Sequence, residues 1–249
     1  MTPAELHAIA GRAPERTALL FDFDGTLAPI VEDPAAALPV DGAVDLLVRL
    51  AGRYHRVAVV SGRPRSFLAP LIPDAVDLSA LYGLEGRIGG ADTDHDGAAR
   101  WRSVIDAAVA DDALPDDVVV EPKGVSLTVH FRQAPEIESD VVAWAERVAA
   151  DTGLLARPAK ASVELHPPLG VDKGSVVRLL VEGCDTVVFV GDDLGDLPAF
   201  AVLDELRHEG VRTVKIASAG TGMPVEVAQA ADLVVDGPTD VVALFSPLG

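Results

Sequence analysis

The chain has 249 residues with 39 acidic against 20 basic side chains, and the formal charge of −19 argues against nucleic acid or an anionic membrane as a partner. Hydrophobic residues at 49% and charged residues at 24% describe a folded chain, long enough for one large domain or a core with a smaller companion. No apolar run reaches the roughly 20 residues of a membrane helix, and the single cysteine, Cys184, excludes an intramolecular disulfide, so a reducing, cytoplasmic setting is expected.

Residues 1–16 carry Glu5 and Glu15 and no apolar core of signal-peptide length. The next stretch, Thr17 to Leu27, reads as a buried strand that runs into Asp22, Phe23, Asp24 and Gly25 and ends in a tight loop. Alternation puts Asp22 and Asp24 on one side of the extended chain. Two such anions repel unless a cation or a shared proton lies between them. The pair suits a divalent metal, with one carboxylate as nucleophile and the other as acid and base, or else it is a solvated loop with two chance acids. A flap with Pro29, Pro34 and Pro39 follows, then an amphipathic helix over Val40–Tyr54.

The β-branched run Arg56–Val60 ends in Ser61-Gly62-Arg63-Pro64. A hydroxyl, a glycine for close backbone approach and an arginine make a phosphate cradle. The same residues also suit an ordinary turn in which Ser61 caps a helix. A third strand over Leu78–Tyr82 completes a strand–helix rhythm, which predicts a doubly wound parallel α/β sheet with ligands at the carboxyl ends of its strands. Residues 87–166 break the rhythm with short β runs at 118–120, 125–131 and 162–165 and helices at 100–112 and 136–151. An inserted α+β domain is expected there, leaving 1–86 and 167–249 as the core. Within the insertion, Asp92-x-Asp94-x-Asp96-Gly97 imitates the start of a calcium loop but has Ser103 where the final acid belongs, and is a polar turn. Glu121 and Lys123 lie two apart, Lys160 and Glu164 four apart. On strands each pair shares a face, either as an exposed salt bridge or as a platform for sugar hydroxyls.

Beyond the insertion, Lys173 opens a helix through Leu180, where the helix dipole disfavours a cation, so an anionic partner is expected opposite. Thr186–Val190 runs into Asp192, Asp193 and Asp196, hard oxygen donors of the kind magnesium prefers. Strands at 213–217 and 232–235 complete the sheet.

Asp22-x-Asp24, Ser61, Lys173 and Asp192, in that order, resemble the four signatures of the haloacid dehalogenase superfamily. More closely, Phe21–Leu27, Ser61–Arg63, Tyr82–Glu85, Ser126–Arg132, Val163–Pro167, Asp172–Gly174 and Gly191–Asp193 resemble the trehalose-6-phosphate phosphatases over nearly the whole chain. That resemblance implies a Rossmann-like core with an α+β cap, and hydrolysis of trehalose 6-phosphate through an aspartyl phosphate on Asp22. Asp24 would be the acid and then the base, while Ser61, Gly62, Arg63 and Lys173 would surround the phosphoryl oxygens. The resemblance further implies magnesium held by Asp22, the Asp24 carbonyl and Asp192, with Asp193 or Asp196 acting through water. Glu121, Lys123, Lys160 and Glu164 would grip the disaccharide, cap closure would limit water, and a sugar-phosphate synthase of the same pathway is an implied partner.

One departure stands out. Gly195, Leu197 and Pro198 replace the Thr, Glu and Asp usual in the family, which removes hydrogen bonds that support the metal loop and bears on the fit of the sugar while Asp192, Asp193 and Asp196 stay in place. Sucrose phosphate or a pseudo-disaccharide phosphate are alternative substrates. A silent sugar-phosphate sensor is the alternative of another class, and intact Asp22 and Asp24 argue against it.

Overall fold

A computed structural model describes residues 1–159, 161–220 and 223–249. They divide into two compact units, Met1–Thr93 with Val171–Gly249, and Asp94–Gly170. In chain order the first unit begins with α1 (Pro3–Ala10), β1 (Thr17–Phe21), α2 (Ala43–Ala51), β2 (Arg56–Val60), α3 (Arg65–Leu68), β3 (Asp77–Ala80), β4 (Glu85–Ile88) and β5 (Ala91–Asp92). The second unit comprises α4 (Ala98–Val109), β6 (Val119–Pro122), β7 (Leu127–His130), α5 (Glu138–Thr152), β8 (Leu155–Ala159) and β9 (Ser162–His166). The chain then returns to the first unit with α6 (Lys173–Leu180), β10 (Thr186–Gly191), α7 (Leu197–His208), β11 (Arg212–Ser218), α8 (Val225–Ala230), β12 (Leu233–Val235) and α9 (Gly237–Phe245). Among the described residues, no helix is long and apolar enough to cross a membrane.

The sheet of the first unit runs β12-β11-β10-β1-β2-β3-β4-β5, parallel as far as β3. Strand β1 is at its centre and is buried along its whole length, as a parallel strand covered on both faces must be. Its alternate residues feed two cores. Leu19 and Phe21 join Leu6, Leu46, Leu47 and Phe245, from α1, α2 and α9. Ala18 and Leu20 join Val176, Val177, Phe200 and Leu203, from α6 and α7. Chain order reverses at β1, which pairs with β2 on one side and β10 on the other. Such a switch point opens a crevice at the carboxyl ends of the strands.

The expected domain boundary is corrected by this sheet. Residues 87–92 belong to β4 and β5, which add to the parallel sheet as antiparallel strands, so the inserted unit starts at Asp94 and ends at Gly170 rather than spanning 87–166. The expected strand at 78–82 is shorter too. It stops at Ala80, because Leu81 and Tyr82 take left-handed backbone angles, φ 47° and 57°.

In the second unit the sheet runs β6-β7-β9-β8, wholly antiparallel. Leu127, Val129, Val163 and Leu165 are buried on the face that packs against α4 and α5, with Trp101, Ile105, Val141 and Trp144. The opposite face is polar. Its central row reads Glu121, Thr128, Glu164 and Arg157 from edge to edge. One flanking row carries His130 and Ser162, and the other carries Lys123, Ser126 and His166.

Candidate active site

Asp22 follows β1 directly. Its N–H donates to the Val190 carbonyl of β10 at 2.8 Å, which extends the ladder one residue past the strand and fixes where the carboxylate starts. Asp22 is only 4% exposed. Lys173, equally buried, donates from Nζ to Asp22 Oδ1 at 2.9 Å and to Asp196 Oδ1 at 2.6 Å. The anionic partner that the sequence calls for opposite Lys173 is therefore this pair of carboxylates. Lys173 is aimed by its helix start: Asp172 caps α6 by accepting from Ser175 N at 2.8 Å, while Asp172 N donates to Ser175 Oγ at 3.0 Å.

Asp196 is fully buried and both of its oxygens are hydrogen-bonded. Oδ1 takes Lys173, and Oδ2 accepts from Asp192 N at 2.8 Å and Asp193 N at 3.1 Å. It organises the loop after β10 as a strut. Asp193 accepts from Gly195 N at 2.8 Å and starts the short turn into α7. Asp192 is left with its carboxylate within hydrogen-bonding reach of Asp22. Donor oxygens of Asp22, Asp192 and Asp196 all lie within 4.8 Å of one another, so a hard divalent cation fits by donor chemistry and by charge.

The electrostatics follow from crowding. Burial, aggravated by Asp193 and Asp196, pushes the Asp192 carboxyl up to about 7. Burial likewise raises Asp22 well above the usual carboxylate range, with Lys173 opposing it, and raises Asp193. Burial alone would lower Lys173, but Asp22, Asp196 and Asp193 outweigh it and raise its pKa.

Two glycines let the loops meet. At Gly25, φ is +69° and a Cβ would come within 2.0 Å of Asp192 Oδ2; at Gly191 one would come within 2.2 Å of Asp196 Cγ. Ser218, at the end of β11, donates to the Gly25 carbonyl at 2.7 Å and ties a further strand to the Asp22 loop.

Asp24 lies apart from the acid cluster's hydrogen bonds. Arg63 grips it with Nε on Oδ2 at 2.7 Å and Nη2 on Oδ1 at 2.8 Å, and stacks 4.5 Å above the Phe67 ring. Ser61 follows β2, its N–H donating to Ser79 at 2.9 Å, and its hydroxyl accepts from Arg63 N at 3.1 Å. Tyr82 and Leu81 donate from their backbone N–H groups to the carbonyls of Ser61 and Arg63 at 3.1 and 3.0 Å. The Tyr82 ring covers Gly62 so closely that a Cβ there would meet it at 2.6 Å. Strained backbone at 81–82 is the means by which this loop is held.

The first unit thus gathers Asp22, Asp192, Asp196 and Lys173, with Arg63 closing on Asp24. The second unit carries Glu121, Lys123 and Glu164 on its polar face. Lys123 Nζ is 3.7 Å from Glu121 Oε2, and His130 Nε2 is 3.0 Å from the same oxygen. His130 belongs to that polar face as well. Lys160 lies outside the described residues. Sequence reasoning also missed Ser218 and Tyr82, whose roles rest on contacts to distant loops.

A family model described as trehalose-phosphatase matches residues 20–231. A trehalose-phosphate phosphatase of Mycobacterium avium (strain 104) is 36% identical over 234 residues, covering 84% of this chain and 55% of that protein. The chain spans about half the length of the curated relatives of this name that it matches. Among solved structures, the C-terminal domain of the C. albicans trehalose-6-phosphate phosphatase superposes with a TM-score of 0.75 at 25% identity, covering 100% of this chain and 97% of that one. A structure titled as a trehalose-6-phosphate phosphatase related protein gives a TM-score of 0.77 at 22% identity, over 93% of this chain and 96% of that one, a likeness of fold.

Proposed function

The chain belongs to the trehalose-phosphatase family, and from that premise we propose that it hydrolyses trehalose 6-phosphate to trehalose and phosphate with magnesium as cofactor. The supporting observation is a buried carboxylate, Asp22, at a strand tip, 2.9 Å from an equally buried lysine and beside Asp192.

In this proposal Asp22 Oδ2, the oxygen not taken by Lys173, attacks phosphorus in line with the sugar oxygen. The P–O bond to the sugar breaks as the bond to Asp22 forms, and Asp24 gives its proton to the departing oxygen. Asp24 then takes a proton from water, whose oxygen attacks phosphorus and returns Asp22 as carboxylate with free phosphate. Lys173 and Ser61 hold phosphoryl oxygens, and Arg63, freed from Asp24 when the acid moves to the sugar, adds positive charge. Phosphoryl transfer needs such positioning and charge neutralisation more than any exotic group. Asp22, Asp192 and the Asp24 carbonyl would hold magnesium, which when bound supplies charge neutralisation for the phosphoryl group. Asp196 and Asp193 each hold backbone N–H groups with one oxygen and so keep the loop in shape, and Asp193 or Asp196 would serve the metal through water. Glu121, Lys123, Lys160 and Glu164 of the second unit read the sugar.

The test is magnesium-dependent phosphate release from trehalose 6-phosphate, with sucrose 6-phosphate and glucose 6-phosphate beside it and Asp22→Asn as the blank. Strong preference for trehalose 6-phosphate, absent in the blank, is the expected result. Slow, equal release from all three overturns the substrate and leaves the nucleophile standing.

A further inference from the structure

The polar face of the second unit holds two hydroxyls that no group among the described residues satisfies. Thr128 and Ser126 are 5% and 3% exposed, and neither Thr128 Oγ1 nor Ser126 Oγ has a hydrogen-bond partner. Both belong to β7 or its approach, two residues apart, so both lie on one face of the sheet. Thr128 sits in the middle of that face, directly opposite Glu121 on one side and Glu164 on the other. Ser126 is beside Lys123, whose N–H donates to its carbonyl at 2.8 Å.

Native proteins leave few buried hydroxyls unpaired, because each forfeits its bonds to water and gains nothing in return. Thr128 could be valine at no loss of shape, and the pairing that a hydroxyl allows is missing although two carboxylates flank it. Glu121 is committed elsewhere, to His130 at 3.0 Å. A row that reads carboxylate, hydroxyl, carboxylate offers acceptors at both ends and a group in the middle that both donates and accepts. A ring bearing neighbouring hydroxyls presents the matching pattern.

We propose that Thr128 is a specificity-determining residue whose hydroxyl bonds a ring hydroxyl of the sugar once Glu121 and Glu164 turn to meet the same ring. The assignment rests on the proposed function and adds the residue that distinguishes a pyranoside from a simple phosphate ester. A buried hydroxyl built to bond its ligand rejects what lacks the matching group far more strongly than an apolar pocket rejects a misfit.

The experiment compares the full chain with Thr128→Val and Thr128→Ser on trehalose 6-phosphate and on p-nitrophenyl phosphate, with a thermal unfolding midpoint for each variant. Thr128→Val is expected to lose at least about tenfold in kcat/KM on trehalose 6-phosphate, through KM, the loss of one well-placed hydrogen bond. It should hydrolyse p-nitrophenyl phosphate as the parent does, with a midpoint that is unchanged or higher, and Thr128→Ser should stay close to the parent throughout. Unchanged hydrolysis of trehalose 6-phosphate by Thr128→Val overturns the assignment. So does an equal loss on both esters, or a Thr128→Ser as poor as Thr128→Val. A parent chain without preference between the two esters overturns the proposed function, and this assignment with it, before any variant is read.

Discussion

Arg63 holds Asp24 by both carboxylate oxygens, at 2.7 and 2.8 Å, with its guanidinium carbon over Phe67, 4.5 Å from the ring centre. The fork matches the carboxylate plane, which a lysine cannot do. Phe67 in turn meets Phe23, the residue between the two aspartates, edge to face at 5.8 Å. The acid is thereby oriented through an arginine that is itself fixed to the Asp22 loop.

If that orientation serves proton transfer, Arg63→Lys should be defective where the leaving group needs a proton. General acid catalysis contributes about 10²–10⁴-fold. Hydrolysis of trehalose 6-phosphate should fall by around 10²-fold, while p-nitrophenyl phosphate, whose phenolate leaves unaided, should be hydrolysed with a much smaller loss. A uniform loss on both esters would mean that Arg63 serves the phosphoryl group alone.

Lys173 is the cation between two buried carboxylates, and its removal leaves both without a counter-charge. Breaking a buried pair of this kind costs about 3–5 kcal/mol. Lys173→Met should lower urea stability by about that amount in metal-free buffer at neutral pH, and magnesium should restore part of it. Sign and window follow from the raised Lys173 pKa: its contribution is fully present below the unfolded value of 10.5 and is lost only as pH rises through the folded one. The deficit of the variant is therefore not to be removed by moving the parent from pH 7 to pH 9.

Burial, with Asp193 and Asp196 beside it, pushes the Asp192 carboxyl from its ordinary 3.8 up to about 7 when no metal is bound. The folded state binds that proton more tightly than the unfolded chain, so ionising Asp192 costs stability as pH rises from about 4 through about 7. Asp22, also raised by burial, acts in the same direction. A divalent cation replaces the proton. The rise in unfolding midpoint on adding magnesium should be larger at pH 8 than at pH 5.5, and a shift independent of pH would remove Asp192 from the ligand set.

Asp22→Asn should abolish turnover and yet not weaken the metal-free fold at neutral pH. Burial, the largest influence on Asp22, penalises its charge, and Asp196 remains to pair with Lys173. An unchanged or higher midpoint is expected, about 2–4 °C for each kcal/mol relieved. A sharply lower midpoint would show that Lys173 depends on Asp22 more than on Asp196.

Much of this was legible in the sequence because its signals are local. Apolar runs ending in acids marked β1 and β10, and a lysine misplaced in the first turn of a helix announced its carboxylates. What escaped depends on folding distance. Ser218 meets Gly25 across 193 residues of chain, and Arg63 meets Asp24 across 39. Nothing near either residue names its partner. Strands β4 and β5 were missed because Gly86, Gly89 and Gly90 dilute the β pattern there. In the loop after β10 it is the hydrogen bonds, not the spacing of the acids, that give Asp196 its added part in holding the Asp192 and Asp193 N–H groups.

The replacements at Gly195, Leu197 and Pro198 raise a question of inheritance. Gly174 lies so close to the start of α7 that a Cβ would sit 2.6 Å from the Pro198 carbonyl oxygen. A side chain at 174 must push α7 away, and Asp196, one residue before that helix, would draw its carboxylate off Lys173. Because the obstacle is a backbone carbonyl that every residue carries, position 174 is closed to any side chain whatever stands at 198, so the loop could exchange residues at 195, 197 and 198 while glycine stays at 174.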